Sequence, residues 1–151
     1  NSFGINLIIL MKNLFSLFVF SLLLSACAGT GNKNISSVSF EKPKGNKSSL
    51  YFFRENVFVG SAGLVKLLVN GEEIGKIGVD EFIQHDVESG SVKIRAANDN
   101  LLQAGVGADV VAFTAKPEGL YYFIITMKQK LFSTSWKISE TTKSGYKQAN
   151  E

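Results

Sequence analysis

Few residues of this 151-residue chain have the type and spacing that catalysis requires. The single histidine, His85, is followed by Asp86, a pair of the kind that supplies a general base and its orienting carboxylate. Both residues lie in a predicted strand, where neighbouring side chains point to opposite faces of the sheet. The carboxylate pairs 72–73 and 80–81 lie at predicted turns or strand starts, where we expect solvated charges. We therefore expect no catalytic residues and no enzyme activity.

Sites for phosphate, nucleotides, metals and nucleic acid also lack support in the sequence. The glycine-containing segments 60–63 and 75–78 lack the Gly-Lys-Ser/Thr ending of a phosphate loop, and 104–107 lacks the third glycine of a dinucleotide loop. One cysteine and one histidine are too few for a zinc site. The net charge is only +3 and the basic residues are scattered. We expect no cofactor, no metal and no nucleic-acid partner, and we expect Arg54 and Arg95 to form surface ion pairs.

The chemistry that the sequence does support is acylation of its one cysteine, Cys27. Met11-Lys12-Asn13 provides a short positive start, and residues 14–24 form a mostly apolar run. This run has the length of a secretory signal and is shorter than the roughly 20 residues that cross a bilayer. The last residue of this run and the three that follow it resemble the lipobox of bacterial lipoproteins, in which the cysteine is acylated before the signal peptide is removed. These residues are Leu24, Ser25, Ala26 and Cys27.

This resemblance implies a lipid-anchored protein. We expect residues 11–26 to be a lipoprotein signal peptide and residues 1–10 to be upstream translation, because including them would place Lys12 near mid-membrane at a cost of about 3 kcal/mol. Two or more acyl chains such as palmitate on Cys27 would anchor the chain stably to a bilayer. Ala28, rather than Asp, follows the cysteine, which implies the periplasmic face of the outer membrane, with the inner membrane as the alternative.

Another interpretation of the apolar run and Cys27 stays open. An ordinary signal peptide that is cut nearby would leave Cys27 as a free thiol in an oxidising compartment.

Residues 27–48, which are rich in Gly, Asn, Ser and Lys, predict a flexible tether that would hold the domain about 25 Å from the lipid. A first strand over the weakly strand-like patch 35–40 is the alternative to a continuous tether.

Residues 49–147 predict an all-β domain, a small antiparallel β-sandwich of about seven or eight strands with little helix. Asn70-Gly71 is the preferred pair for a type I′ hairpin, and residues 116–119 fit a type I turn. If residues 120–128 form an edge strand, a partner strand could add there. The predicted strands are 50–54, 64–69, 72–77, 82–87, 91–96, 109–115, 120–128 and 132–139.

The order of several short segments resembles a family of small bacterial lipoproteins known only as a domain of unknown function and similar to PEGA-like β-sandwich modules. The segments are 50–54, 69–71 with 74–75, 89–90 and 118–122, and the resemblance covers about residues 49–147. It implies a fold and an envelope location but no activity. Two departures are Ser89-Gly90-Ser91-Val92, where the family usually has Pro-Gly, a further residue and His, and the looser segment 97–109.

Fold and location together favour a non-enzymatic binding or scaffold module for another envelope component, either a protein or a glycan. An accessory lipoprotein of a secretion machine is one alternative. An inhibitor of a cell-wall lytic enzyme, acting through a loop such as 97–109, is another, and a cell-wall enzyme that uses one carboxylate is a third.

Overall fold

Nine β-strands and one short helix make up the regular structure in the computed structural model, which describes residues 29–35, 38, 40–56, 63–99 and 106–149. The elements are β1 (Lys47–Arg54), β2 (Val65–Val69), β3 (Glu72–Ile77), β4 (Phe82–Glu88), β5 (Gly90–Asn98), β6 (Val106–Gly107), β7 (Asp109–Ala115), β8 (Leu120–Lys130), β9 (Ser133–Thr141) and α1 (Lys143–Gln148). Each of the eight predicted strands corresponds to one of these, and β6 is an addition of two residues.

The strands form two sheets that pack face to face. One sheet has the order β4-β1-β8-β9-β6, and the other has the order β3-β2-β5-β7. Their inner faces share one apolar core, which confirms the predicted all-β sandwich. The buried members of this inner core are Leu50, Phe52, Val65, Leu67, Val69, Ile77, Val87, Val92, Ile94, Ala96, Ala115, Phe123, Ile125, Trp136 and Ile138.

The expected antiparallel arrangement requires a correction in the five-stranded sheet. β1 pairs antiparallel with β4 but parallel with β8, so that Phe52 lies opposite Phe123. β6 also runs parallel to β9. β8 is therefore an interior strand with β1 on one side and β9 on the other, and residues 120–128 do not form an exposed edge.

Two turns show how local sequence determines strand connections. Asn70 has φ +53° and Gly71 has φ +89°, as the predicted type I′ hairpin requires. The Asn70 side chain accepts a hydrogen bond from the Lys93 amide at 2.8 Å, which ties this turn to β5. In the turn 116–119, Glu118 has φ +56°, a value that fits the third position of a type II turn and not the predicted type I.

The outer face of the five-stranded sheet carries a second, aromatic cluster. Tyr51 and Tyr122 stack with ring centroids 5.1 Å apart, beside Phe53, Phe82 and Tyr146. Side chains from both ends of the described chain cover this cluster: Ile35, Val38, Phe40 and Ala149. The outer cluster therefore joins the segment before β1 to the helix after β9.

The helix α1 is held in place by its buried tyrosine. Thr142 caps its first turn by accepting a hydrogen bond from the Gly145 amide at 3.2 Å. The hydroxyl of Tyr146 donates to the carbonyl oxygen of Phe52 at 3.2 Å. Lys143 and Lys147 place their ammonium groups 5.1 and 5.5 Å from the ring centre of Phe40, within the range of cation–π contact.

The expected surface ion pair of Arg54 is wrong, because this side chain is only 1% exposed. Its guanidinium donates to the carbonyl oxygens of Gly63 and Ile77 and lies 4.9 Å from the ring centre of Trp136. Burial lowers the pKa of Arg54, and the charge of Glu81 opposes that shift. Carbonyl acceptors and an aromatic face thus replace water around this cation. Arg95, by contrast, is exposed on β5.

Replacing Arg54 with methionine should destabilise the sandwich. Methionine can still pack against Trp136 but donates nothing to the carbonyl oxygens of Gly63 and Ile77. We expect the free energy of unfolding to fall by about 2 kcal/mol, measured by urea denaturation with the fluorescence of Trp136 as the probe. The control Arg95→Met should change it by less than about 0.5 kcal/mol. Equal losses in both variants would contradict a structural role for the Arg54 hydrogen bonds.

Candidate functional site

The predicted acylation site lies just before the described part of the chain. Cys27 and the lipobox residues Leu24, Ser25 and Ala26 are outside the described residues. Within the described ranges, no helix has the length and apolar character needed to cross a membrane. The first described residues, 29–32, follow the cysteine almost directly, and we call them the N-terminal strap.

The N-terminal strap is hydrogen-bonded to the edges of both sheets. The Thr30 amide donates to the Lys76 carbonyl oxygen at 2.8 Å, and the Lys76 amide donates to the Thr30 hydroxyl at 2.9 Å. Asn32 and Phe82 exchange two backbone hydrogen bonds of 2.9 Å. Lys76 belongs to β3 and Phe82 to β4, so the strap bridges the edge strands of the two sheets.

Glycines permit this close approach. A Cβ on Gly75 would lie 2.5 Å from the hydroxyl oxygen of Thr30, and Gly75 itself has φ +152°. A Cβ on Gly31 would lie 2.7 Å from the side chain of Glu81. The glycines around Thr30 therefore serve contact with the sandwich, not only chain flexibility.

The structure differs here from the flexible tether expected over 27–48. Thr30 and Asn32 are hydrogen-bonded to β3 and β4, and Ile35, Val38 and Phe40 pack on the outer cluster. The described residues of the patch 35–40 form no strand, since β1 begins at Lys47. Two peptide units separate Cys27 from Gly29, so the chain itself limits their Cα–Cα distance to about 7 Å. An anchor on Cys27 would hold the sandwich close to the lipid.

The turn between β8 and β9 lies at the same end of the sandwich as the N-terminal strap. The strand register aligns Phe82 with Phe53 and Phe53 with Ile124, and β8 then continues away from this level to Lys130. The turn residues Leu131 and Phe132 are 88% and 94% exposed. We call residues 128–132 the hairpin tip.

The segment 97–109 is fixed at both of its flanks. Asn98 accepts a hydrogen bond from the indole nitrogen of Trp136 at 2.8 Å. Asp99 lies 2.8 Å from the ammonium of Lys76, and this hydrogen bond raises the pKa of Lys76. Asp109 accepts from the Ile138 amide at 2.8 Å. Residues 100–105, the centre of the proposed inhibitory loop, lie outside the described residues.

The structure separates the histidine from its neighbouring carboxylate. His85 lies opposite Leu50 and shares its inward face, whereas Asp86 lies opposite Ser49 and accepts a hydrogen bond from its hydroxyl at 2.6 Å. The expected placement on opposite faces is confirmed. Burial lowers the pKa of His85, while the charges of Asp86 and Glu72 oppose the shift.

The other candidate carboxylates have structural contacts of their own. Glu73 pairs with Lys66 at 3.3 Å on the surface. Glu81 is half-buried and accepts a hydrogen bond from the Gly78 amide at 2.8 Å, so the expectation that it is a solvated charge is wrong. Among the described residues, no three His, Cys, Asp or Glu side chains are grouped as a metal site would need.

Comparisons with models of protein families, with curated proteins and with solved structures find no match to this chain. The resemblance to the PEGA-like lipoprotein family therefore stays a prediction.

Sequence reasoning missed both the N-terminal strap and the hairpin tip. The segment around Thr30 has the composition of a linker, and no strand pattern marks it. Leu131 and Phe132 stand between two strand-like runs, where turns usually carry Gly, Asn, Asp or Ser. An apolar pair at a turn was the available signal for the tip.

The pKa of His85 should be measurably low. Because the folded state favours the neutral imidazole, the unfolded chain binds more protons below pH 6.5, and stability should fall as the pH drops through that value. The chain has one histidine, so its ring signals in an NMR titration are unambiguous, and we expect a pKa below 6.5. In His85→Gln this part of the pH dependence should vanish. A pKa at or above 6.5 would contradict the desolvated position.

Removing the Thr30 hydroxyl should loosen the N-terminal strap. In Thr30→Ala the Lys76 amide loses its acceptor, and we expect a loss of about 1 kcal/mol in stability with faster amide hydrogen exchange at Lys76 and Phe82. The control Thr114→Ala, at an exposed position on β7, should leave exchange at those two amides unchanged. Unaltered exchange in Thr30→Ala would show that this hydroxyl does not hold the strap.

Proposed function

We propose that this chain is a cell-envelope lipoprotein, acylated on Cys27, whose sandwich is a non-enzymatic binding or scaffold module at the periplasmic face of the outer membrane. One observation carries the proposal: a signal-length apolar run leads into Leu24-Ser25-Ala26-Cys27, and the first residue that is hydrogen-bonded to the sandwich, Thr30, comes three positions after the cysteine. The lipobox supplies the anchor, and the strap couples it to the folded domain.

The anchor accounts for the cysteine and for the shortness of the apolar run. A run of this length is too short for a permanent span, whereas two or more acyl chains hold a protein stably at a bilayer surface. Acylation also leaves no free thiol in an oxidising compartment. The mature protein would then be held by its acyl chains and would not cross the membrane.

The outer face of the four-stranded sheet supports the binding role. The outer cluster and α1 cover the outer face of the five-stranded sheet, whereas exposed side chains line the outer face of the four-stranded sheet. Lys93 and Arg95 on β5 lie opposite Ala112 and Val110 on β7, and Val110 is 47% exposed. A mixed basic and apolar surface of this kind suits an acidic partner with some apolar area.

The edge of the same sheet supports a protein partner. Among the described strands, β7 pairs within its sheet with β5 alone and so presents its other edge. An extended segment of a partner could add there through main-chain hydrogen bonds. Residues 120–128 cannot accept such a segment, because β8 lies in the interior of its sheet.

The test is intact-mass analysis and membrane fractionation of the protein from its native host, with Cys27→Ser beside the wild type. We expect the wild type to begin at Cys27, to carry acyl mass and to float with outer membranes, because acylation both licenses processing and provides the anchor. Cys27→Ser should lack acyl mass and be soluble or unprocessed.

The matched control is Ser25→Ala, which keeps a small residue in the lipobox and should still be acylated and processed. If the wild type and Cys27→Ser have the same mass shift and fractionate together, Cys27 is not the anchor and the proposal fails. Chemical crosslinking of the acylated protein in intact cells then identifies its envelope partner.

A further inference from the structure

The hairpin tip is the most exposed apolar feature of the described chain. Leu131 and Phe132 are adjacent and are 88% and 94% exposed. They form the turn between β8 and β9, which pair along more residues than any other two strands of the described chain. Isolated exposed apolar residues are common on protein surfaces, but two large ones side by side at a turn are not what turn geometry favours. The pair calls for an apolar environment that the sandwich itself does not supply.

The hairpin formed by β8 and β9 extends past the end of β1, the strand that pairs with β8. β1 pairs with β8 only as far as Arg54 opposite Ile125, whereas β8 and β9 stay paired to Lys130 opposite Ser133. Five residues past Ile125 extend the hairpin by about 17 Å. The turn is therefore presented at the far end of a paired, hydrogen-bonded arm.

The charge around the hairpin tip is basic. Lys128 is exposed and Lys130 precedes the turn, while residues 120–139 contain three lysines and no acidic residue. An apolar tip flanked by cations fits a bilayer surface, in which acyl chains lie beneath a layer of phosphate groups. A protein pocket would have to match both features, whereas an anionic bilayer provides both.

The position of the hairpin tip agrees with this occupant. The tip and the N-terminal strap lie at the same end of the sandwich, and Cys27 is within about 7 Å of Gly29 along the chain. A bilayer surface that holds Cys27 is therefore within reach of an arm that extends about 17 Å past Ile125.

We propose that the hairpin tip inserts Leu131 and Phe132 into the interfacial region of the bilayer, with Lys128 at the headgroup phosphates. The choice of membrane rests on the proposed function, since the bilayer is the one that would hold the acyl chains of Cys27. Two attachment points, the anchor and the tip, fix the orientation of the sandwich and direct the opposite end, with the turns at Asn70-Gly71 and 116–119, away from the lipid.

The primary experiment uses Phe132→Trp as a reporter in the full protein, purified from host membranes and reconstituted in vesicles of phosphatidylethanolamine and phosphatidylglycerol. Trp136 is the only native tryptophan and is buried, so the spectrum of the parent protein can be subtracted. We expect a blue-shifted emission from Trp at 132 that lipids brominated in their acyl chains quench. The control Lys116→Trp, at an exposed turn of the opposite end, should stay at the emission of water-exposed tryptophan.

A second measurement separates the hairpin tip from the anchor. The chain from residue 27 with Cys27→Ser keeps all the described contacts of both clusters, which lie between residues 29 and 149. Its partition onto the same vesicles should fall about tenfold or more in Leu131→Ser/Phe132→Ser. Lys128→Glu should lower it about fivefold or more at low salt, and Lys116→Glu should not change it.

Three results would overturn the inference. One is an emission from Trp at 132 that matches the Lys116→Trp control in vesicles. Another is vesicle partition that the serine substitutions leave unchanged. The third is a blue shift that arises only when envelope proteins are added, which would assign the hairpin tip to a protein partner.

Acyl mass on Cys27 without insertion of the tip contradicts this inference alone. Insertion of the tip without acyl mass contradicts the proposed function, with the tip still assigned to lipid.

Discussion

Burial of β1 on both faces is the constraint on which the rest of the structure depends. From Ser48 to Arg54 every residue of this strand is buried. Leu50 and Phe52 point into the inner core, while Tyr51 and Phe53 point into the outer cluster. A strand of this kind requires a sheet opposite one face, a cover over the other and a strand on each side. The second sheet, the terminal segments, β4 and β8 satisfy these requirements.

Much of the fold could be predicted from residue patterns, and its pairing could not. Alternating apolar residues and turn signals located eight strands close to their observed bounds, because side-chain period and turn chemistry are local properties. They do not specify which strand lies beside which. The unbroken run Leu50-Tyr51-Phe52-Phe53 was nonetheless a usable signal, since continuous apolar runs are typical of strands buried on both faces and of parallel pairing.

The candidate site divides in the same way. The lipobox is a contiguous motif, so Cys27 could be proposed from sequence alone. The N-terminal strap could not, because a glycine that allows two backbones to touch has the same composition signal as a glycine in a free linker. The burial of Arg54 could not be predicted for a related reason: its acceptors are main-chain carbonyl groups, which are the same for every residue type. Contacts that depend on backbone proximity are visible only in three dimensions.

The outer cluster also determines when the molecule can be completed. Its cover comes from Phe40 near one end and Tyr146 near the other, and the hydrogen bond from Tyr146 to Phe52 spans 94 positions of the sequence. The parallel partner of β1 is itself some seventy residues distant, with Leu50 opposite Tyr121. Contacts of such long range slow folding, because closing a long loop costs conformational entropy before the contacts are made. The five-stranded sheet and its outer cluster therefore cannot be completed until β8 and α1 have been synthesised, whereas every strand of the four-stranded sheet lies between residues 65 and 115.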